Sequence, residues 1–164
     1  MKVLGIDPGT ANWGFGIVHA SDGRLRALMH GCAQTSAREP PARRLKSIYD
    51  AVARLIEAER PDAVVLEESY VGADARIALS VGQARGAVLV ACAAANVECS
   101  EYPPATVKQA VCGYGRAEKE QVQRMVKVIL SMDDLPRPHH AADALAVAIC
   151  HALSPARARA AVSA

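Results

Sequence analysis

Two rhythms of apolar residues run along the chain. Val3 to Ile6 is a short apolar run ending at Asp7-Pro8-Gly9-Thr10, which reads as a buried strand followed by a tight turn. A second strand is expected from Trp13 to Val18. There Gly14 and Gly16 alternate with Trp13, Phe15 and Ile17, so one face packs against something close. Ser21-Asp22-Gly23 is a hairpin turn signal, and a third strand follows from about Arg26 to Ala33. Three strands joined by short turns make an antiparallel meander.

The rhythm then lengthens. Pro40-Pro41 opens a helix in which Leu45, Ile48, Tyr49, Val52, Leu55 and Ile56 share one face. Arg60-Pro61-Asp62 stops it, and Val64, Val65 and Leu66 make Ala63 to Glu67 a central strand apolar on both faces. A helix rich in Ala and Val is expected from about Asp74 to Asn96, then a short strand from Val97 to Tyr102. Three further helices follow. One starts at Pro103-Pro104 and breaks at Gly113, one runs from Glu118 to about Met132, and one from Ala141 to about Leu153. The order β-β-β-α-β-α-β-α-α-α gives a mixed α/β fold, a five-stranded sheet flanked by helices. Residues 1–154 form one expected domain, and residues 155–164, with Arg157 and Arg159, a loose basic tail.

Composition narrows the class. An apolar share of 51% and a charged share of 22% fit a soluble globular chain. The net charge of +2 is too small to identify a nucleic-acid partner, so charge distribution matters more. The five cysteines are odd in number and contain no C-x-x-C pair, against a disulfide framework or zinc finger. Reduced thiols in a cytoplasmic protein are expected. No basic, apolar leader precedes the first strand, so no signal peptide is expected. The apolar run Ala87 to Ala95 is too short for a membrane span.

The chemistry sits where apolar elements end in acid. Asp7 ends one buried strand and Glu67 another, and a buried carboxylate is costly unless paired or bound to a cation. If the two strands are central and parallel, these acids lie side by side and repel unless something positive sits between them. Glu68 competes with Glu67, because side chains alternate across a strand. Asp143 lies in the apolar helix, three residues after His140 and four after His139, and either spacing stacks a histidine over it. Each acid alone has an ordinary explanation: a turn former, a solvated strand end, a charge favoured by the helix dipole. Together, three carboxylates and a histidine would support two divalent ions about 4 Å apart, an arrangement suited to phosphodiester hydrolysis. Oxygen donors point to Mg²⁺ or Mn²⁺.

These segments resemble the bacterial crossover (Holliday) junction endodeoxyribonucleases of the RuvC family. The matching residues are Gly5-Ile6-Asp7-Pro8-Gly9-Thr10, Pro61-Asp62 leading to Leu66-Glu67, and Gly82-Gln83-Ala84-Arg85-Gly86. Further on come Val107-Lys108-Gln109, Gly113-Tyr114-Gly115, Ala117-Glu118-Lys119 and Ala141 to Ala146. The resemblance implies a ribonuclease-H-like fold, a homodimer, and metal-dependent paired cuts in four-way DNA junctions during recombination and repair. Cleavage would leave 5′-phosphate and 3′-hydroxyl ends. It implies Asp7, Glu67, His140 and Asp143 as metal ligands, choosing Glu67 over Glu68 and His140 over His139. Many members carry Asp where this chain has His140, and the lower negative charge leads us to expect a relative preference for Mn²⁺.

The resemblance also implies DNA-binding roles for Tyr70, as a base-stacking ring, and for Lys108 and Lys119, with the RuvA–RuvB branch-migration complex as partner. Between Pro104 and Ser131 five basic residues stand against two acidic ones, a balance able to neutralise phosphates. The Asp74 to Asn96 helix reads as core or dimer interface, with Ala78, Gly82, Ala84 and Gly86 permitting close approach. Three alternatives compete. A nucleotide-binding protein of the actin and sugar-kinase fold shares the Asp-Pro-Gly-Thr turn but normally needs two such lobes. A nuclease for ribosomal RNA precursors has a similar opening motif. A catalytically silent junction binder would not need the acidic set.

Overall fold

The computed structural model describes residues 1–68 and 75–154. Tyr70 and the basic stretch 155–164 lie outside the described residues. The elements follow the expected order: β1 (Lys2–Asp7), β2 (Asn12–Ser21), β3 (Arg24–Gln34), α1 (Pro41–Glu59), β4 (Ala63–Glu67), α2 (Ala75–Ala94), β5 (Glu98–Tyr102), α3 (Pro104–Cys112), α4 (Lys119–Ile129) and α5 (His139–Leu153). The five strands form one sheet in the order β3-β2-β1-β4-β5. β1, β2 and β3 pair antiparallel, while β4 lies parallel to β1 and β5 parallel to β4.

Local chemistry accounts for the turns and helix ends. Asp22 and Gly23 both take positive φ in the β2–β3 hairpin, 52° and 72°, the conformation that suits the strands' twist. Pro41 starts α1, and Arg60 closes it in the left-handed conformation. Gly113 ends α3 at φ 84°, where a β-carbon would be strained. Two helices differ from the expected spans. α4 ends at Ile129, with Ser131 at φ 52° just beyond. α5 begins at His139 rather than Ala141, because Pro138 supplies the extended residue before the first turn.

The sheet is covered on both faces. Leu4, Ile6, Trp13, Ile17, Val64 and Leu66 pack with Ile48, Val52 and Ile56 of α1 and Ala84, Val88 and Ala91 of α2. Val3, Val18 and Val65 pack on the other side with α3, α4 and α5. α5 is nearly all apolar, and its residues from Ala144 to His151 are all buried. It lies very close to β1 and β2. A β-carbon on Gly5 would sit 1.9 Å from the Ala144 carbonyl oxygen, and one on Gly14 would sit 2.0 Å from that of His140. Gly16 would press on Leu145. The glycines among the apolar residues of β2 therefore mark the bed of α5.

The apolar run Ala87 to Ala95 lies, but for its last residue, in a 20-residue helix, α2 (Ala75–Ala94). By length and composition alone that helix could cross a membrane, contrary to the expectation from the shorter run. Its Ala84, Val88, Ala91 and Cys92 pack into the α1 side of the core, yet only 22% of its apolar window is buried. Leu79 and Val90 are 65% and 60% exposed.

Candidate active site

Parallel pairing of β1 with β4 sets Ile6 beside Leu66, so Asp7 and Glu67 follow at neighbouring strand ends. Strand alternation then selects their direction. Gly5 faces α5 and Val65 packs into the cluster of α3, α4 and α5. Two residues on, Asp7 and Glu67 point to that same side, whereas Glu68 falls on the opposite parity. α5 brings His140 and Asp143 over the strand ends from its first turns. The His140 Nδ1–H donates to Asp7 Oδ2 at 2.6 Å.

Asp7, Glu67, His140 and Asp143 line one cavity of about 400 Å³ together with Lys108 from α3 and Lys119 at the start of α4. Glu68 also reaches its wall, beside Pro8 and Gly9. A second opening of about 430 Å³ shares Gly9, Val81 and His140 with it and adds Thr10, Asn12, Arg76 and Ser80.

The electrostatics of the cavity are strained in one direction. Burial, then the charges of Asp143 and Asp7, push the Glu67 carboxyl up to about 7, against a smaller downward pull from Lys108 and Lys119. Burial also raises Asp7, opposed by its bond to His140 and by the charges of His140 and Lys119. Asp143 is raised by burial and by Asp7, with Lys119, His140 and His139 pulling the other way. Three carboxylates that resist ionising, all through burial and two of them also through acidic neighbours, fit a divalent cation, which would stabilise all three anions at once. Among the described residues no three acidic, His or Cys side chains already stand as a closed ligand group, and Asp7 and His140 hold each other instead. Mg²⁺ does not require a complete protein cage, since it keeps waters and takes oxygens from substrate phosphates.

Of the residues singled out from sequence, Asp7, Glu67, His140, Asp143, Lys108 and Lys119 meet in this cavity; Tyr70 lies outside the described residues. Sequence reading passed over Ser80 and Arg44 and took Thr10 only as part of the turn motif. Thr10 bonds Ser80 of α2 through its hydroxyl and Arg44 of α1 through its carbonyl, contacts across 70 and 34 residues that no local spacing signals. Arg85, inside a matched motif, forms a bidentate ion pair with Glu101 and ties α2 to β5.

Comparison with known proteins agrees with this architecture. The family model described as crossover junction endodeoxyribonuclease RuvC matches residues 3–151. A protein of that name from Moorella thermoacetica is 51% identical over 152 residues, covering 93% of this chain and 91% of its own. One from Natranaerobius thermophilus is 48% identical over 92% of this chain and 94% of its own. The solved structure of Thermus thermophilus RuvC with a Holliday junction substrate superposes with a TM-score of 0.85 at 40% identity, over 93% of both chains. A yeast mitochondrial Holliday junction resolvase shares the fold at a TM-score of 0.69 and 14% identity, over 98% of this chain and 79% of its own. The chain belongs to the crossover junction endodeoxyribonuclease RuvC family.

Proposed function

We propose that the cavity at the ends of β1 and β4 cuts four-way DNA junctions, with Asp7, Glu67, His140 and Asp143 holding two Mg²⁺ or Mn²⁺ ions. The family is one of nucleases that depend on a divalent metal. One observation carries the residue assignment: three carboxylates of raised pKa converge in one cavity beside two lysines. When bound, a metal pair supplies an activated water and neutralises the departing 3′ oxygen, leaving a 5′ phosphate.

The chain's own groups have separate tasks. Asp7 and His140 are joined through Oδ2 and Nδ1, so each fixes the other's orientation, and with the proton on Nδ1 the Nε2 lone pair is available to a metal. An imidazole in the set is a softer ligand than a carboxylate, and we expect relative preference for Mn²⁺ over Mg²⁺. Equal cleavage at saturating concentrations of each ion would contradict that preference. Lys119 and Lys108 face the cavity and are suited to hold the scissile phosphate as point charges. If reversing both charges leaves junction affinity intact at low salt, the lysine assignment fails. Tyr70 is assigned to stack on an unpaired base at the junction centre, worth about 1–3 kcal/mol per base. Tyr70→Ala is expected to bind junctions and cut them slowly.

Paired cuts need two active sites, and we assign the second to a second copy related by two-fold symmetry. The exposed side of α2 supports this. Leu79 and Val90 stand open there, and a β-carbon on Gly82 or Gly86 would meet nothing within 4 Å. The described residues leave open space at those glycines, room that a helix approaching from a partner would use. A cytoplasmic location and a RuvA–RuvB branch-migration complex as partner complete the reading, since both follow from work on chromosomal junctions.

The deciding experiment is cleavage of a synthetic four-way junction beside linear duplex and RNA, with Mg²⁺ or Mn²⁺ and with Asp7→Asn as control. Symmetric paired nicks confined to the junction and abolished in Asp7→Asn are expected. Cleavage that survives Asp7→Asn would remove the site assignment.

A further inference from the structure

The turn that follows Asp7 is not shaped by its own strands. The β1–β2 ladder closes at Asp7 opposite Gly14, and residues 8–11 lie beyond it. Two helices and the loop after β3 fasten this turn at Thr10. Arg44 Nη2 on α1 donates to the Thr10 carbonyl at 2.8 Å, and its Nε donates to Thr35 Oγ1 at 2.9 Å. The Thr35 hydroxyl donates to the same Thr10 carbonyl. The Thr35 N–H donates to the next carbonyl, that of Ala11, at 3.0 Å. On the other side the Thr10 hydroxyl meets the Ser80 hydroxyl on α2.

The Thr10 carbonyl therefore accepts two hydrogen bonds, its full capacity. Arg44 forms no ion pair among the described residues. Its charge is aimed at neutral oxygens in a partly buried place, where a planar fork can hold two acceptors at once and a lysine can offer only a point donor. The turn is also tight: a β-carbon on Gly9 would lie 2.2 Å from the Asn12 carbonyl oxygen. Gly9 and Pro8, which connect Thr10 to Asp7, line the cavity themselves, so a displacement at Thr10 would have little slack chain to absorb it.

We infer that Arg44 is a positioning residue which, through the Thr10 carbonyl, sets the turn that aims the Asp7 carboxylate into the cavity. The inference rests on the reading of Asp7 as a metal ligand. Arg44 touches neither metal nor DNA in this role and acts only through Thr10.

The test uses the full-length chain and the variants Arg44→Met, Arg44→Lys, Thr35→Val and Arg44→Met/Thr35→Val. Three quantities are read: junction Kd, kcat at saturating junction, and hydrogen exchange at the amides of residues 9–12 and of β1. Arg44→Met is expected to lower kcat on the order of tenfold to a hundredfold, the scale of a catalytic group misplaced by an ångström, with junction Kd unchanged. Amides 9–12 should exchange faster while β1 keeps its protection. Thr35→Val should lower kcat in the same direction, and the double variant should be no worse than Arg44→Met, since both act at one carbonyl. Arg44→Lys should not restore the rate.

Four results would overturn the inference: a junction Kd that weakens in step with kcat, strictly additive losses, full activity in Arg44→Lys, or unchanged exchange at 9–12. The exchange arm needs no cleavage. If the wild-type chain left junctions uncut, the Asp7 reading would fall, while the exchange result would still decide whether Arg44 holds the turn.

Discussion

Glu67 and Glu68 are neighbours in sequence and differ in what surrounds them. The carboxyl of Glu67 feels Asp143, Asp7, Lys108 and Lys119, whereas Glu68 contributes to the field around Arg85. Glu67→Gln is expected to reduce junction cleavage about a hundredfold or more, the usual cost of losing a charge-stabilising group at a reacting phosphate. Glu68→Gln should stay within a fewfold of wild type, and the reverse ranking in cleavage assays would refute the assignment. The raised pKa also has a thermodynamic sign. The folded state holds the Glu67 proton more tightly than the unfolded state does, so its stabilising contribution is complete below about 4.5 and is lost as pH rises through about 7. Without divalent ions, thermal unfolding should therefore move to lower temperature across that window. Added Mn²⁺ should raise Tm more at the upper end than at the lower, because ligands must shed protons to bind. A larger gain at the acidic end in thermal denaturation would contradict this. At this scale the acids were legible as carboxylates ending apolar runs, a costly placement without a partner. The choice between Glu67 and Glu68 was not legible from the residues, because it depends on which face of β4 meets α5.

At the scale of elements, α5 and the strands beneath it form one unit. His140 reaches Asp7 because Gly14 lets the first turn of α5 rest on β2. Gly14→Ala places a methyl group against the His140 carbonyl and should cost about 1–3 kcal/mol by overpacking. Denaturant unfolding would give that figure, and metal titration should show weaker binding in the same variant. A Gly14→Ala protein with wild-type stability and metal affinity would mean that α5 shifts freely on the sheet. Most element boundaries were readable to within a residue or two, because Pro41, Gly113 and the Asp22-Gly23 pair carry their own backbone preferences. The start of α5 was misjudged by two residues. His139 and His140 have no apolar periodicity of their own, and only Pro138 before them and their spacing from Asp143 placed them on the helix face.

At the scale of the whole molecule, the open side of α2 is the surface on which the proposed dimer would form. Val90→Glu puts a charge on an exposed position, so the monomer should fold as before. The variant should sediment as a monomer, still bind divalent ions, and produce single nicks in place of paired ones. A wild-type chain that is monomeric at working concentration in analytical ultracentrifugation, or a Val90→Glu dimer, would remove α2 from the interface. The alternation of apolar residues was enough to specify the strands, the helices and their order, because hydrophobic period and turn chemistry are local properties of the chain. The motif resemblance added the family. Three things came from tertiary packing alone. Parallel pairing of β1 with β4 set Asp7 beside Glu67. The glycine bed lowered α5 onto them. Arg44 of α1, Ser80 of α2 and Thr35 of the loop after β3 converged on Thr10. Each is a contact between residues far apart in the chain, and its geometry exists only once the sheet and its two helical layers have closed around it.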